Sequence, residues 1–454
     1  MIRRCLFQGF AAIVAMAAIA GPASAQSLEE AMILAYTNNP TLLAARAELR
    51  SVDEQIAQAL GGYRPTISGS ADYGLERSET SISPWDTQSP GSFGINLNQP
   101  LYSGGGTEAS VSQADNVIEA QRANLEATEQ QILLDTVTTY MGVVLSRRLL
   151  DLAINNEERL LRQFQATEDR FRVGEVTRTD VSQAKASLAN AQASRVSAEG
   201  DVVRARAAFE EVIGVPPTTL SEPGPLIGLP EEIEVAAETA QAKNPTILAA
   251  LASEAAAQDS VDVRFADLLP TISLVASYTQ NYDPSINITR QNIAQVLATV
   301  TIPIYQAGQA ESLVRAAKET AAQRRIEVDE ARRAVQSNLV SAWQELITSQ
   351  AQIAAFEEEV TANEIALEGT QREADVGERT VLDVLDAEQS LFQSQINLAV
   401  AQRDTVVASY ALKSTLGELT APDLALPIDY YNPELHYTEV RGNWGFGGLF
   451  EGTE

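Results

Sequence analysis

The stretch VGERTVLDVLDAEQS, Val376 to Ser390, has a counterpart in VGEVTRTDVSQAKAS, Val173 to Ser187. At an offset of 203 residues, Gly174 falls on Gly377, Glu175 on Glu378, Asp180 on Asp383 and Ala184 on Ala387. The correspondence runs far beyond this motif. AYTNNPTLLAARAE, from Ala35, is answered by AQAKNPTILAALAS, from Ala240. Pro65-Thr66-Ile67-Ser68 is answered by Pro270-Thr271-Ile272-Ser273, Tyr140 by Trp343 and Gly214 by Gly417. A unit of about 190 residues is duplicated, far longer than a solenoid repeat of about 20–50 residues.

The repeats set the domain plan. Repeat 1 covers residues 26–214 and repeat 2 covers 231–419, each ordered helix, two strands, very long helix, helix. The linker 215–230, VPPTTLSEPGPLIGLP, holds five prolines and two glycines and reads as extended chain. Residues 420–454 lose all periodicity and are expected to be an irregular tail. Residues 1–25 carry Arg3 and Arg4, an apolar run and Ala23-Ser24-Ala25, the pattern of a cleaved signal peptide.

Loss of that segment removes two positive charges and takes the net charge from −29 to −31. Such an excess argues against nucleic acid as a partner and would draw cations into any lined cavity. Cys5, the one cysteine, goes with the leader, so no disulfide or thiol chemistry remains. The one histidine, His436, stands in the tail, and no metal-ligand spacing, nucleophile elbow or phosphate loop appears. The chain is not expected to be an enzyme and calls for no cofactor.

Two segments per repeat switch to period two. Phe93, Ile95 and Leu97 alternate with Gly94, Asn96 and Asn98; Ile67, Gly69, Ala71, Tyr73 and Leu75 do so less cleanly. Repeat 2 offers Ile272, Leu274, Ala276 and Tyr278, then Val296, Ala298, Val300 and Ile302. The polar stretch SETSISPWDTQSPG between the first two is expected to be a loop. Strands of about ten residues cross a bilayer when tilted, whereas no later apolar run reaches the roughly 20 residues a membrane helix needs. Amphipathic hairpins on a soluble core would show the same alternation. Four strands cannot close a barrel in lipid, where open edges are forbidden. Several chains must then share one, and three would give twelve strands.

Between Thr107 and Arg172 the only glycine is Gly142, and no proline occurs. Gln309 to Asp375 is interrupted only by Gly369. Each stretch predicts a helix about 100 Å long. Val111, Ile118, Leu125 and Ile132 are spaced by seven, as are Leu339, Leu346, Ile353, Val360 and Leu367, a coiled-coil seam. An elongated tether or adhesin would carry the same helices.

Val-Gly-Glu breaks each long helix, with Gly174 and Gly377 supplying the turns. Thr179-Asp180 and Thr380 to Asp383 are suited to capping the return helices. Asp383 and Asp386 share a helix face, and around a three-fold axis each would form a ring of carboxylates favouring cations. Arg379 at the turn is placed to reach Thr179 or Asp180 and latch the two hairpins.

These residues resemble the TolC-like outer-membrane efflux proteins: VGERTVLDVLDA, the duplication, the Asn-Pro-Thr and Pro-Thr-Ile-Ser pairs, and the proline-aromatic-glycine start of each long helix. The resemblance covers about Ser27 to Thr420. It implies a homotrimer of mixed α and membrane-β class, with a twelve-stranded outer-membrane barrel continuous with a periplasmic helical tunnel. It implies a passive exit duct for efflux or type I secretion, driven by an inner-membrane pump of ABC or RND type through a periplasmic adaptor. By the same resemblance Arg379, Thr179 and Asp180 match the gate latch, and Asp383 and Asp386 the selectivity rings. Family members often carry a tyrosine where this chain has Ala374, which leaves a second latch contact open. A non-conducting tether is the alternative. A general porin fits less well, for porins have more strands per chain and no such helices.

Overall fold

The computed structural model describes residues 26–80, 83–285 and 288–443. The expected signal peptide and Cys5 lie outside them, as do residues 444–454. Repeat 1 contains α1 (Leu28–Asn38), α2 (Pro40–Leu60), β1 (Thr66–Tyr73), β2 (Glu76–Thr80), β3 (Ser83–Gln88), β4 (Gly91–Ser103), α3 (Gly106–Arg172) and α4 (Arg178–Ile213). Repeat 2 contains α5 (Ile233–Lys243), α6 (Pro245–Ala266), β5 (Thr271–Ser285), β6 (Ile288–Thr301), α7 (Gln309–Asp375) and α8 (Val381–Thr415). A last helix, α9 (Glu434–Gly442), lies in the tail.

Apolar periodicity through Ser27 to Leu60 suggests one helix, yet the chain turns at Asn39. Pro40 disfavours helical backbone at the residue before it and has no N–H to give the preceding turn. Asn39 is extended (ψ 122°), ends α1 and begins α2. Its Oδ1 accepts from the Thr41 amide at 2.9 Å, and its Nδ2 donates to the Val212 carbonyl at 2.8 Å. Asn244 repeats both bonds, to Thr246 at 3.0 Å and to Thr415 at 2.9 Å. The Asn-Pro-Thr pair is thus a corner that caps one helix and ties it to the end of the last helix of its own repeat.

The strands join into one antiparallel sheet in the order β1-β4-β5-β6, so the two repeats meet at β4 and β5. Register sorts its faces. Ile67 pairs with Leu97 and Gly69 with Ile95. Ile95 in turn pairs with Tyr278 and Leu97 with Ala276, while Ala276 pairs with Val296 and Ile272 with Val300. Every apolar position anticipated in these pairs lies on one face. A bulge between Pro100 and Tyr102 brings Tyr102 opposite Ile272, as expected where proline cannot supply a ladder N–H. The opposite face carries Ser68, Asn96, Ser273, Ser277, Gln295 and Thr299, interrupted by Val275 opposite Leu297. The apolar face is bare in the single chain, with Ile67 70 % and Val296 67 % exposed. Strands β1 and β6 are open edges.

Two expected irregular regions are partly ordered. The polar loop after β1 contains a second hairpin, β2 with β3. The tail supports α9, where Val440 packs on Ile56, Ala114 and Ile118, and Arg441 pairs with Asp115 at 3.0 Å. At nine residues, α9 is too short for periodicity to reveal.

α3 and α7 each run 67 residues, about 100 Å at 1.5 Å per residue. The seven-residue seam is buried at Ile118, Leu125 and Ile132, and at Leu339, Leu346 and Leu367. The largest core lies halfway along α3. There Tyr140 is fully buried, its hydroxyl 2.8 Å from the carbonyls of Gln26 and Ser221. Residues after α8, including Leu419, Ala421 and Leu426, close the same core.

Replacing Asn39 with alanine removes an N-cap and strands the Val212 carbonyl, a loss of about 1–3 kcal/mol. Asn39→Asp keeps the acceptor but not the donor and is expected to fall between alanine and wild type. Thermal unfolding of the three proteins checks that order.

Candidate functional site: the hairpin tips

Each long helix turns back on its return helix through the same short device. The Gly174 amide donates to the Phe171 carbonyl and the Glu175 amide to the Arg170 carbonyl, both at 3.0 Å. Gly377 and Glu378 do the same to Ala374 and Glu373, at 3.2 and 2.9 Å. This pairing needs a left-handed residue at the turn, and Gly174 and Gly377 take φ of +83° and +84°.

The return helices start on reciprocal caps. The Thr177 hydroxyl accepts from the Asp180 amide at 3.3 Å, and Asp180 Oδ2 accepts from the Thr177 amide and hydroxyl at 2.8 Å. Thr380 and Asp383 repeat the pattern at 2.8–3.3 Å. Thr380 therefore acts as anticipated. In repeat 1, however, the cap is Thr177 and not Thr179. The Thr-x-x-Asp spacing of Thr177 matches Thr380 and marks it in the sequence.

The expected latch is not formed in this chain. Arg379 Nε donates to Glu373 Oε2 at 2.9 Å, within its own hairpin. Asp180 is engaged by Thr177. No bond from Arg379 to Thr179 or Asp180 occurs among the described residues; the guanidinium is engaged instead by Glu373, in the last turn of α7 across the Gly377 turn. At the tips, an ion pair that does cross between hairpins comes from Arg170. Its Nη2 lies 2.6 Å from Asp375 Oδ1, and its Nη1 donates to the Ala374 carbonyl at 3.4 Å. Behind it, Val381 and Leu385 of α8 pack on Leu160, Ala184, Leu188 and Ala191 of the first hairpin.

Asp383 and Asp386 lie on neighbouring turns but in different surroundings. The bonds from the Thr380 amide and hydroxyl hold the Asp383 carboxyl below the usual range, so it stays ionised. Asp386 is exposed and borders a groove of about 300 Å³ with Asn156, Gln183, Asn190 and Gln389. Among the described residues no cluster of ligating side chains could hold a metal, and no helix is long and apolar enough to cross a membrane.

Sequence reasoning missed Arg170 and Asp375, although the repeat carries a signal for them. At the 203-residue offset Arg170 falls on Glu373, Arg172 on Asp375 and Lys185 on Glu388. Each pair reverses its charge where the surrounding residues agree.

The model for "Outer membrane efflux protein" matches residues 33–215 and again 236–418, one match per repeat. The chain is 38 % identical over 423 residues to the outer membrane efflux protein BepC of Brucella suis, covering 93 % of this chain and 92 % of that one. It is 26 % identical to the outer membrane protein TolC of Vibrio cholerae, covering 88 % and 92 %. The crystal structure of the outer membrane protein VceC of Vibrio cholerae superposes with a TM-score of 0.75 over 86 % of this chain and 96 % of that one, at 18 % identity. The duplicated hairpins, the amphipathic sheet and these likenesses agree: the chain belongs to the outer membrane efflux protein family.

Proposed function

We propose that three copies close their sheets into a twelve-stranded barrel in the outer membrane and their helices into a periplasmic tunnel, forming a passive exit duct. The observation that carries this is the sheet. It has one apolar face, one polar face and two open edges, and it runs directly into the two long helices. Lipid tolerates no open edge, so the strands must find partners, and a four-stranded sheet finds them in copies of itself. From Ile272 to Tyr282 the apolar face rises about 26 Å at 3.4 Å per residue and a tilt near 40°, close to the roughly 25 Å band of outer-membrane barrels. The polar face then lines the water-filled lumen. A tether would need no such lining.

The hairpin tips form the periplasmic gate, with Arg170 and Asp375 as its clasp in each chain. Asp383 and Asp386 face the constriction as rings of carboxylates that admit cations. Driving force comes from an inner-membrane pump or translocator, coupled through a periplasmic adaptor that engages the tips and shifts an existing closed-to-open equilibrium.

Single-channel recording across a potassium chloride gradient tests the duct. Wild type is expected to show a small cation-selective conductance, and Arg170→Ala one several-fold larger. Arg379→Ser, whose partner lies in its own hairpin, is expected to stay near wild type. Asp383→Asn with Asp386→Asn should lose cation preference. Absence of current from inserted protein would overturn the proposal.

The sheet makes a second prediction. Val296→Arg puts a charge on the lipid face and is expected to cost about 2–4 kcal/mol, while Ser277→Arg on the lumen face costs far less. Denaturant unfolding from vesicles measures both, and equal losses would mean the faces are misassigned.

A further inference from the structure

Glu388 is the one glutamate among the described residues that is buried, at 3 % exposure. It lies on α8, above the gate, where α3, α4 and α7 all pack against that helix. Its environment is poorly matched to a charge. Oε1 accepts a single long bond, 3.3 Å from Gln371 Nε2 of α7. Oε2 stands 2.9 Å from Arg159 Nε of α3, yet the two are out of hydrogen-bond alignment. Arg159 Nη2 also lacks a partner. A carboxylate can accept about four hydrogen bonds, so this one is far from satisfied.

The groups around it are few. α3 brings Arg159 and Arg162, whose positive fields reach the carboxyl. α7 brings the neutral Gln371. α4 brings the buried Ala184, Leu188 and Ala191, with Lys185 exposed. On α8 itself the adjacent turns carry Val384, Leu385, Leu391 and Phe392, all buried. Arg159 thus bridges hairpin one to hairpin two through a carboxyl that apolar side chains surround.

We propose that Glu388 is a proton-operated lock between the two hairpins: protonated it lets them pack, and ionised it favours their separation. The proposal rests on the hairpins being the gate. Packing shuts the carboxyl away from water, and parting α8 from α3 would hydrate it. Burial pushes Glu388 above the usual carboxylate range, against the lowering pull of Arg159 and Arg162. The packed state therefore holds its proton more tightly than the parted state. By linkage, acid favours packing, and this advantage is lost as pH rises through the packed-state value. Outside acid would then shut the duct.

The test reads hairpin separation directly, without needing current. The only native cysteine, Cys5, lies in the expected signal peptide. Spin labels at Val173→Cys and Val376→Cys, both more than two-thirds exposed at the tips, then report tip distance by pulsed electron resonance in nanodiscs. Between about pH 5 and pH 8, a range spanning perturbed carboxyls, the distance is expected to lengthen as pH rises. Glu388→Gln should hold the short distance throughout. Arg159→Gln removes the pull that keeps the carboxyl ionised, so its midpoint should move to higher pH. A Glu388→Gln protein with the wild-type pH response, or an Arg159→Gln midpoint displaced to lower pH, would overturn the lock. Conductance is recorded on the same proteins. A pH-dependent distance without any current would instead refute the duct and leave the lock standing.

Discussion

An unpaired sheet edge cannot sit in hydrocarbon, and this constraint orders the rest of the molecule. Each free N–H and C=O along β1 and β6 would cost several kcal/mol in lipid. Two strands per repeat and two repeats per chain supply half of the smallest known membrane barrel, which has about eight strands. In the proposed trimer, copies of the chain supply the missing strands. Because each strand pair continues into a long helix, closing such a barrel would also bring the helices together, and the proposed tunnel would follow from the sheet.

Duplication makes the joint economical. The same corner, Asn-Pro-Thr, ends each first helix, caps the second and ties the junction to the end of its repeat. The same glycine turn and threonine–aspartate cap reverse each long helix. The core halfway along α3 is not duplicated in full. The core around Tyr140 takes in Gln26, the segment near Leu220 and the residues after α8. Its counterpart holds Trp343 and a smaller set around Leu339, Leu412 and Leu416. The linker's start and the tail each occur once, and both pack on repeat 1. The two mid-helix cores are unequal within the chain for that reason.

Period and spacing make the long helices, the strands, their faces and the tip turns legible in the sequence. Phe93, Ile95 and Leu97 need only alternation, and Gly174 with Gly377 only the repeat. Asn39 is hidden because apolar periodicity passes through a corner that the following proline enforces. α9 is hidden because its hold on the body is tertiary: Val440 and Arg441 are explained by α2 and α3, not by neighbours in sequence. At the tips, the positions are legible and the partners are not. Arg379 sits where resemblance puts a latch, but it is taken by Glu373, in the last turn of α7 just before the Gly377 turn. Which carboxylate wins an arginine is decided by distances that no spacing rule contains.

The departures from repeat symmetry carry the remaining information. Two identical hairpins laid side by side would face each other with like charges at matching heights, which is destabilising. Here Arg170 faces a second hairpin whose matching residues are Glu373 and Asp375, and Lys185 is matched by Glu388. The sign reversal turns repulsion into attraction across the interface, and it does so at two levels of different strength. The Arg170–Asp375 pair is largely exposed, at 32 % and 71 %, so it contributes under about 1 kcal/mol and is screened by salt. The Arg159–Glu388 contact is buried on its carboxylate side but out of hydrogen-bond alignment, so the attraction there poorly offsets the cost of burying the charge. The tip pair is the weak, solvated contact and the deeper pair the one with an ill-satisfied buried charge, and both lie where the two hairpins meet.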